Sequence, residues 1–275
     1  MLIVGERINS SRKRIRKAIE QRDAAFIQKE ARNQFEAGAT HIDVNAGTSV
    51  SGEVDDLAWL VTTVQEAVDA PLCIDSPNPA AQAAALKLHR GQALVNSITA
   101  EKERADALLP LVKKHDALVV GLTMGTGGVP TSKEERMEAA AKIVSLARAA
   151  GIDQSRIHFD PAVSAVSTDQ KAALDVAATV AELMAAYPGA HTICGLSNIS
   201  FGLPQRNILN RTYLALLMAR GLDGVIMDPT EKHMMSTLLA AKVLLARDEF
   251  CMDYITAERG GRLAASENHD PIEAK

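Results

Sequence analysis

One pattern recurs along the chain: a short apolar, β-branched run closing on a polar residue, then a longer stretch with helical spacing rich in Ala, Leu, Lys and Glu. Eight such units can be counted. Strands are expected at 2–6, 40–45, 72–75, 93–96, 118–123, 156–160, 192–196 and 224–227. Helices are expected between and after them at 23–37, 54–68, 79–89, 102–115, 133–150, 169–187, 205–220 and 231–246. Asn78-Pro79 reads as an N-cap followed by proline at the first helical position, and Ser132-x-x-Glu135 reads as a capping box. Gly38, Gly151 and Gly221 fall where a left-handed residue ends a helix. Strict alternation of eight units with no internal linker is the arithmetic of a single (β/α)8 TIM barrel, an α/β fold; an open doubly wound sheet is the competing arrangement. Residues 1–255 are expected to form that one domain, and the polar stretch 256–275 a C-terminal tail.

Composition narrows the partners. With 30 Lys and Arg against 34 Asp and Glu, and no long basic run, the electrostatic footprint of a nucleic-acid binder is missing. An aromatic content of 3% also leaves few stacking platforms, so a flat ligand has to be held mainly by hydrogen bonds. Cys73, Cys194 and Cys251 are far apart and fit a reduced cytoplasmic chain better than a disulfide framework. The N-terminus lacks the basic and apolar regions of a secretory leader, and the longest apolar runs are too short for a bilayer; a cytoplasmic location is expected.

In a barrel of this kind the chemistry sits where the strands end. The residues there are Glu6 with Asn9, Asp43 with Asn45, Asp75 with Ser76, Asn96 with Ser97, Thr123, Asp160, Ser197 with Asn198, and Asp228. Any one of them has a plain reading as a cap of the following helix. Asp75 is the exception, because Asn78 already supplies the cap after strand three. Asp228, before Pro229, reads as a turn residue, and His41 as a core or surface histidine. No lysine ends a strand, so Schiff-base chemistry lacks its nucleophile. No histidine pair at metal spacing lies on the ring, and no metal ligand set is assigned. Gly125-Thr126-Gly127-Gly128 lacks the endings of a phosphate loop and reads as a rim. A flat heterocycle with several N–H donors on one edge suits such a ring: Asp75 or Asp160 accepts that edge, and Asn96 and Asn198 bond elsewhere. A pterin and a purine both satisfy this description.

Gly5-Glu6-Arg7-Ile8-Asn9, Asp43-Val44-Asn45, Asp75-Ser76, Val95-Asn96-Ser97, Gly121-Leu122-Thr123-Met124, Gly195-Leu196-Ser197-Asn198-Ile199-Ser200 with Phe201-Gly202-Leu203-Pro204, and Asn210-Arg211 occur in this order. Together they resemble the pterin-binding, corrinoid-dependent methyltransferases, from residue 1 to about 255. The resemblance implies a barrel that binds tetrahydrofolate or 5-methyltetrahydrofolate as substrate and exchanges methyl with a cobalamin (corrinoid) carried by a partner corrinoid protein. It implies that Asp75, Asn96 and Asp160 hold the pterin and that Asn198, beside N5, assists transfer. Arg206 then matches an arginine of the following loop, and Glu6 and Asp43 match acidic positions at the site floor. Relatives are commonly homodimers. Some carry glutamine where this chain has Phe201, so no glutamine contact is assigned. Within the resemblance, Asn198 and Asp160 are the expected catalytic pair: a neutral amide can donate to N5 or accept from it, and Asp160 can serve a proton network. No D-x-H-x-x-G segment occurs, so the corrinoid is expected on another chain. Dihydropteroate synthase, or a non-catalytic folate-binding subunit, are the alternatives. Against the first, the chain has Asn9-Ser10-Ser11-Arg12-Lys13 where that enzyme carries a Ser-Phe-x-Asp-Gly-Gly-type loop.

Overall fold

The computed structural model describes residues 1–48 and 52–264. In chain order its elements are β1 (Leu2–Asn9), α1 (Lys13–Glu20), α2 (Ala24–Glu36), β2 (His41–Asn45), α3 (Glu53–Gln65), β3 (Leu72–Asp75), α4 (Pro79–Leu88), β4 (Leu94–Ile98) and α5 (Lys102–Lys114). There follow β5 (Leu118–Leu122), α6 (Lys133–Ala149), β6 (Ile157–Asp160), α7 (Ala172–Ala186), β7 (His191–Thr192), α8 (Arg206–Ala219), β8 (Gly224–Met227), α9 (Lys232–Leu244) and α10 (Met252–Arg259). The eight strands run parallel in the order β7-β6-β5-β4-β3-β2-β1-β8. Across the remaining seam Gly195 bridges to Ile226, and the Ile226 N–H donates to the Cys194 carbonyl at 2.8 Å. The expected (β/α)8 barrel is therefore the fold.

The local signals act as their chemistry requires. Asn78 accepts from the Ala80 N–H ahead of Pro79, and Ser132 accepts from the Glu135 N–H. The Glu135 carboxylate reaches the Thr131 N–H at 2.8 Å, one residue short of a closed capping box. Gly38, Gly151 and Gly221 adopt φ of 105°, 74° and 112°, a region nearly free of steric cost for glycine alone. Four stretches depart from expectation. β1 continues past Glu6 to Asn9 through a register shift between Gly5 and Ile8. α1 forms on a strongly basic stretch because Ile15, Ala18 and Ile19 share one buried face. The expected seventh strand is regular only over His191–Thr192, and Leu196–Ser200 is a 3-10 turn. α10 crosses the expected domain edge at 255, with Ala257 buried; the expected tail from 265 onward lies outside the described residues. Among the described residues no helix is long and apolar enough to cross a membrane.

The larger core lies between sheet and helices, where Ile42, Leu57, Leu60, Ile74 and Phe159 are fully buried. Each such side chain contributes roughly 1.5–3 kcal/mol by leaving water. Inside the barrel, Val4, Cys73, Leu94, Val120 and Ile193 form an apolar layer. Because side chains on one face of a strand recur every second residue, Glu6, Asp75, Asn96 and Gly195 stand one step above that layer. The layer thus separates the strand-end mouth from the histidines at the other end, His41 and His158 among them. Burial holds both imidazoles down to about 4. His41 lies beside the Thr40 hydroxyl at 3.2 Å, a core position remote from the mouth.

Candidate active site

A cavity of about 300 Å³ opens at the strand-end mouth, lined by Glu6, Asp43, Asp75, Asn96 and Asn198 together with Asn9, Ser11, Arg12, Gly195, Ser197 and Ile226. Sheet register builds its floor: Asn45 pairs with Asp75 across β2 and β3, and Asp75 with Asn96 across β3 and β4. The Asn45 amide donates to the Asp75 carboxylate at 2.9 Å and leaves the carboxylate's remaining lone pairs for a ligand. Ser76, which follows, donates to Glu53 at 2.5 Å, while Asn78 performs the capping.

Asp43 lies deepest, 3% exposed, and its Oδ1 has no hydrogen-bond partner among the described residues. Burial and the nearby Asp75 charge push its carboxyl well above the usual range, against a hydrogen bond from the Cys73 thiol. Burial likewise raises Asp75, opposed by the Asn45 amide and by the Arg104 guanidinium. Glu6 is raised by burial and lowered by Arg12, whose guanidinium is 3.5 Å away. A floor of carboxyls whose burial favours the proton, set beside amides, offers hydrogen-bonding groups to one flat ligand edge.

Asp160 ends β6, two strands along from Asn96. Its side chain accepts from the Ala162 N–H at 2.8 Å, and the nearby Gly195 N–H also favours its ionised form. Burial raises it to about 6 despite those bonds. Through Gly195 it is tied to the turn that carries Asn198, although it is not among the residues that line the 300 Å³ cavity. That turn is not the strand end expected from the sequence. Asn198 N–H bonds to the Gly195 carbonyl, and the Ser200 hydroxyl to the Ser197 carbonyl at 3.3 Å; such local bonding by Ser and Asn competes with a sheet ladder. The result presents the exposed Asn198 amide over the mouth.

Arg206 holds this turn from α8, donating to the Ser197 carbonyl at 2.6 Å and to the Ser200 hydroxyl at 3.0 Å. Its guanidinium stands 6.0 Å from the centre of the exposed Phe201 ring. It lines a second cavity of about 330 Å³ that shares Glu6, Arg12 and Ser197 with the first. Asp228 is engaged by Arg7 at 2.9 Å and by its own Thr230 turn, as a turn residue should be. Sequence reasoning missed Arg12, Ile226 and Arg104, which are placed by loop and helix geometry and carry no strand-end signal. Among the described residues no group of three or more His, Cys, Asp or Glu side chains is arranged to hold a metal ion.

Residues 5–228 match the family model described as "Pterin binding enzyme". The methylcorrinoid:tetrahydrofolate methyltransferase of Eubacterium limosum is 40% identical over 277 residues, covering 100% of both chains. The methionine synthase of Mycobacterium tuberculosis (strain ATCC 25618 / H37Rv) is 28% identical over 244 residues, 84% of this chain but 20% of that protein. This chain thus spans about a fifth of that enzyme's length. A solved structure of Xanthomonas albilineans dihydropteroate synthase, in complex with indole-2-carboxylic acid and 6-chloroguanine, superposes with a TM-score of 0.67 at 20% identity. It covers 89% of this chain and 92% of its own, a likeness of fold.

Proposed function

The chain belongs to the pterin-binding enzyme family, and from that premise we propose that it is a methyltransferase moving methyl between a corrinoid carried by another protein and N5 of tetrahydrofolate. The single observation that carries the assignment to this site is the mouth itself. It combines an Asp43 whose Oδ1 has no partner among the described residues, an acceptor at Asp75, and amides at Asn96 and Asn198 in one 300 Å³ cavity. A pterin presents N–H donors on its guanidine-like edge and acceptors elsewhere, so each of these side chains meets its complement.

The corrinoid, when bound, would supply the cobalt that gives up the methyl group to N5 or takes it from N5. The chain's residues supply the rest. Asp75 accepts the donor edge, Asn96 bonds beside it, and Asp43 turns its free Oδ1 toward the same ligand. Asn198 meets N5. A tertiary amine leaves poorly, so departure of methyl from N5 needs a hydrogen bond or proton as the bond breaks, whereas attack by N5 needs a free lone pair. A neutral amide serves both directions, and Asp160, holding a proton up to about pH 6, exchanges it through the Gly195 turn or water. Arg206 keeps the Asn198 turn in place. The protein is read as cytoplasmic and as a homodimer, with Leu174, Ile208 and Leu216 of α7 and α8 exposed for self-association; light scattering tests the dimer.

Titration with tetrahydrofolate tests the site. Saturable binding is expected, and Asp75→Ala should weaken it roughly tenfold to a hundredfold, the cost of removing a charged hydrogen-bond partner. Equal affinity in wild type and variant would remove Asp75 from the site.

A further inference from the structure

Arg104, in the first turn of α5, points three N–H donors at carbonyl oxygens of the loop after β3 and of the end of β4. Its Nε donates to Ser97 at 2.7 Å, and its terminal nitrogens to Pro77 at 2.8 Å and Ser76 at 3.1 Å. Ser76 and Pro77 follow Asp75, and Ser97 follows Asn96. From α4, the buried Gln82 closes the same junction, its Nε2 donating to the Ser76 carbonyl at 2.8 Å and the Asn96 carbonyl at 2.7 Å. Loops are the least constrained parts of a barrel, yet here the one that follows β3 and the adjoining end of β4 are held by five side-chain hydrogen bonds.

We propose that Arg104 is a positioning residue for the pterin pocket: by tying the loop after β3 to the end of β4 it fixes the spacing between the Asp75 carboxylate and the Asn96 amide. It lines neither mouth cavity. A planar fork can reach three carbonyls at once, whereas a lysine ammonium at the same place is a point charge on a flexible stem. The guanidinium has a second effect, because its charge favours ionised Asp75 against the burial that raises it. Fixed spacing and a held charge are both conditions for accepting a guanidine-like edge with good geometry. The inference rests on the function proposed above, since it is the pterin that needs the pair.

The test is tetrahydrofolate affinity across about pH 5 to 8, with turnover, for wild type, Arg104→Lys and Arg104→Gln. Arg104→Gln should raise Kd about tenfold and move the acid limb of binding up by about one pH unit, as loss of a neighbouring cation does to a carboxylate. Arg104→Lys should keep the acid limb in place while still raising Kd several-fold. In both variants kcat should fall less than about threefold, because Asn198 stands on a different loop. A lowered melting temperature with an unmoved acid limb and unchanged Kd would make Arg104 a structural residue only. Should Arg104→Gln fail to fold, unchanged Kd in Arg104→Lys overturns the proposal. Absence of binding by wild type overturns the pocket assignment and this proposal with it, whereas wild-type binding with unaffected variants overturns this proposal alone.

Discussion

Asn198 stands at the mouth as an exposed neutral amide, while the carboxyls around it are burdened by burial. Its task lies at the reacting nitrogen, so Asn198→Ala should lower kcat about a hundredfold, the usual cost of losing one donor aimed at developing charge, with Kd for tetrahydrofolate changed far less. Steady-state rates beside equilibrium titration measure the split, and equal losses would make Asn198 a binding residue. Asp160 carries a different signature. Its native carboxyl keeps a proton up to about 6, whereas an unfolded aspartate has released it by about 4. In that window the native state binds more protons, and stability falls as pH rises through it. Asp160→Asn removes this penalty. Urea unfolding should therefore find the variant more stable than wild type at pH 8, by on the order of 1–3 kcal/mol, with the advantage shrinking toward about pH 4. A difference independent of pH would deny the raised carboxyl. Activity should move the other way, as it does where a strained site is relieved.

At the scale of elements, the alternation of apolar strands and amphipathic helices was legible, down to the bounds of β3 and β8 and the caps at Asn78 and Ser132. What escaped were features set by neighbours. The register shift that carries β1 to Asn9 depends on β2, and α1 shows as a helix only once its Ile15 face has a partner. The 196–200 turn looked like a strand end because Thr192, Ile193 and Cys194 favour extended backbone, but Gly195 and the bonding of Ser200 and Arg206 curl it. The ring of polar strand ends gave most of the pocket; Arg104 and Gln82 gave no signal because their role exists only between the loop after β3 and the end of β4. The seam beside that turn can be tested. A Cβ on Gly224 would sit 2.8 Å from the Thr192 carbonyl oxygen and 3.1 Å from the Ile193 side chain. Gly224→Ala should cost roughly 1–3 kcal/mol of stability, as overpacking does, read as a lower urea midpoint. An unchanged midpoint would mean that β7 and β8 do not close as described.

The whole molecule is a parallel barrel with an apolar layer across its middle, leaving a polar mouth where folate and a corrinoid carried by another chain can meet. The central claim is therefore that methyl moves between cobalt and N5 at this mouth. It is tested most directly by mixing the purified protein with methylcobalamin and tetrahydrofolate, following the visible bands and assaying the folate product. The expected result is enzyme-dependent loss of the methylcobalamin bands matched mole for mole by 5-methyltetrahydrofolate, greatly slowed by Asn198→Ala. Folate binding with unchanged bands and no methylated product, even when a corrinoid protein replaces free methylcobalamin, would contradict it and leave a folate-binding subunit without methyl transfer.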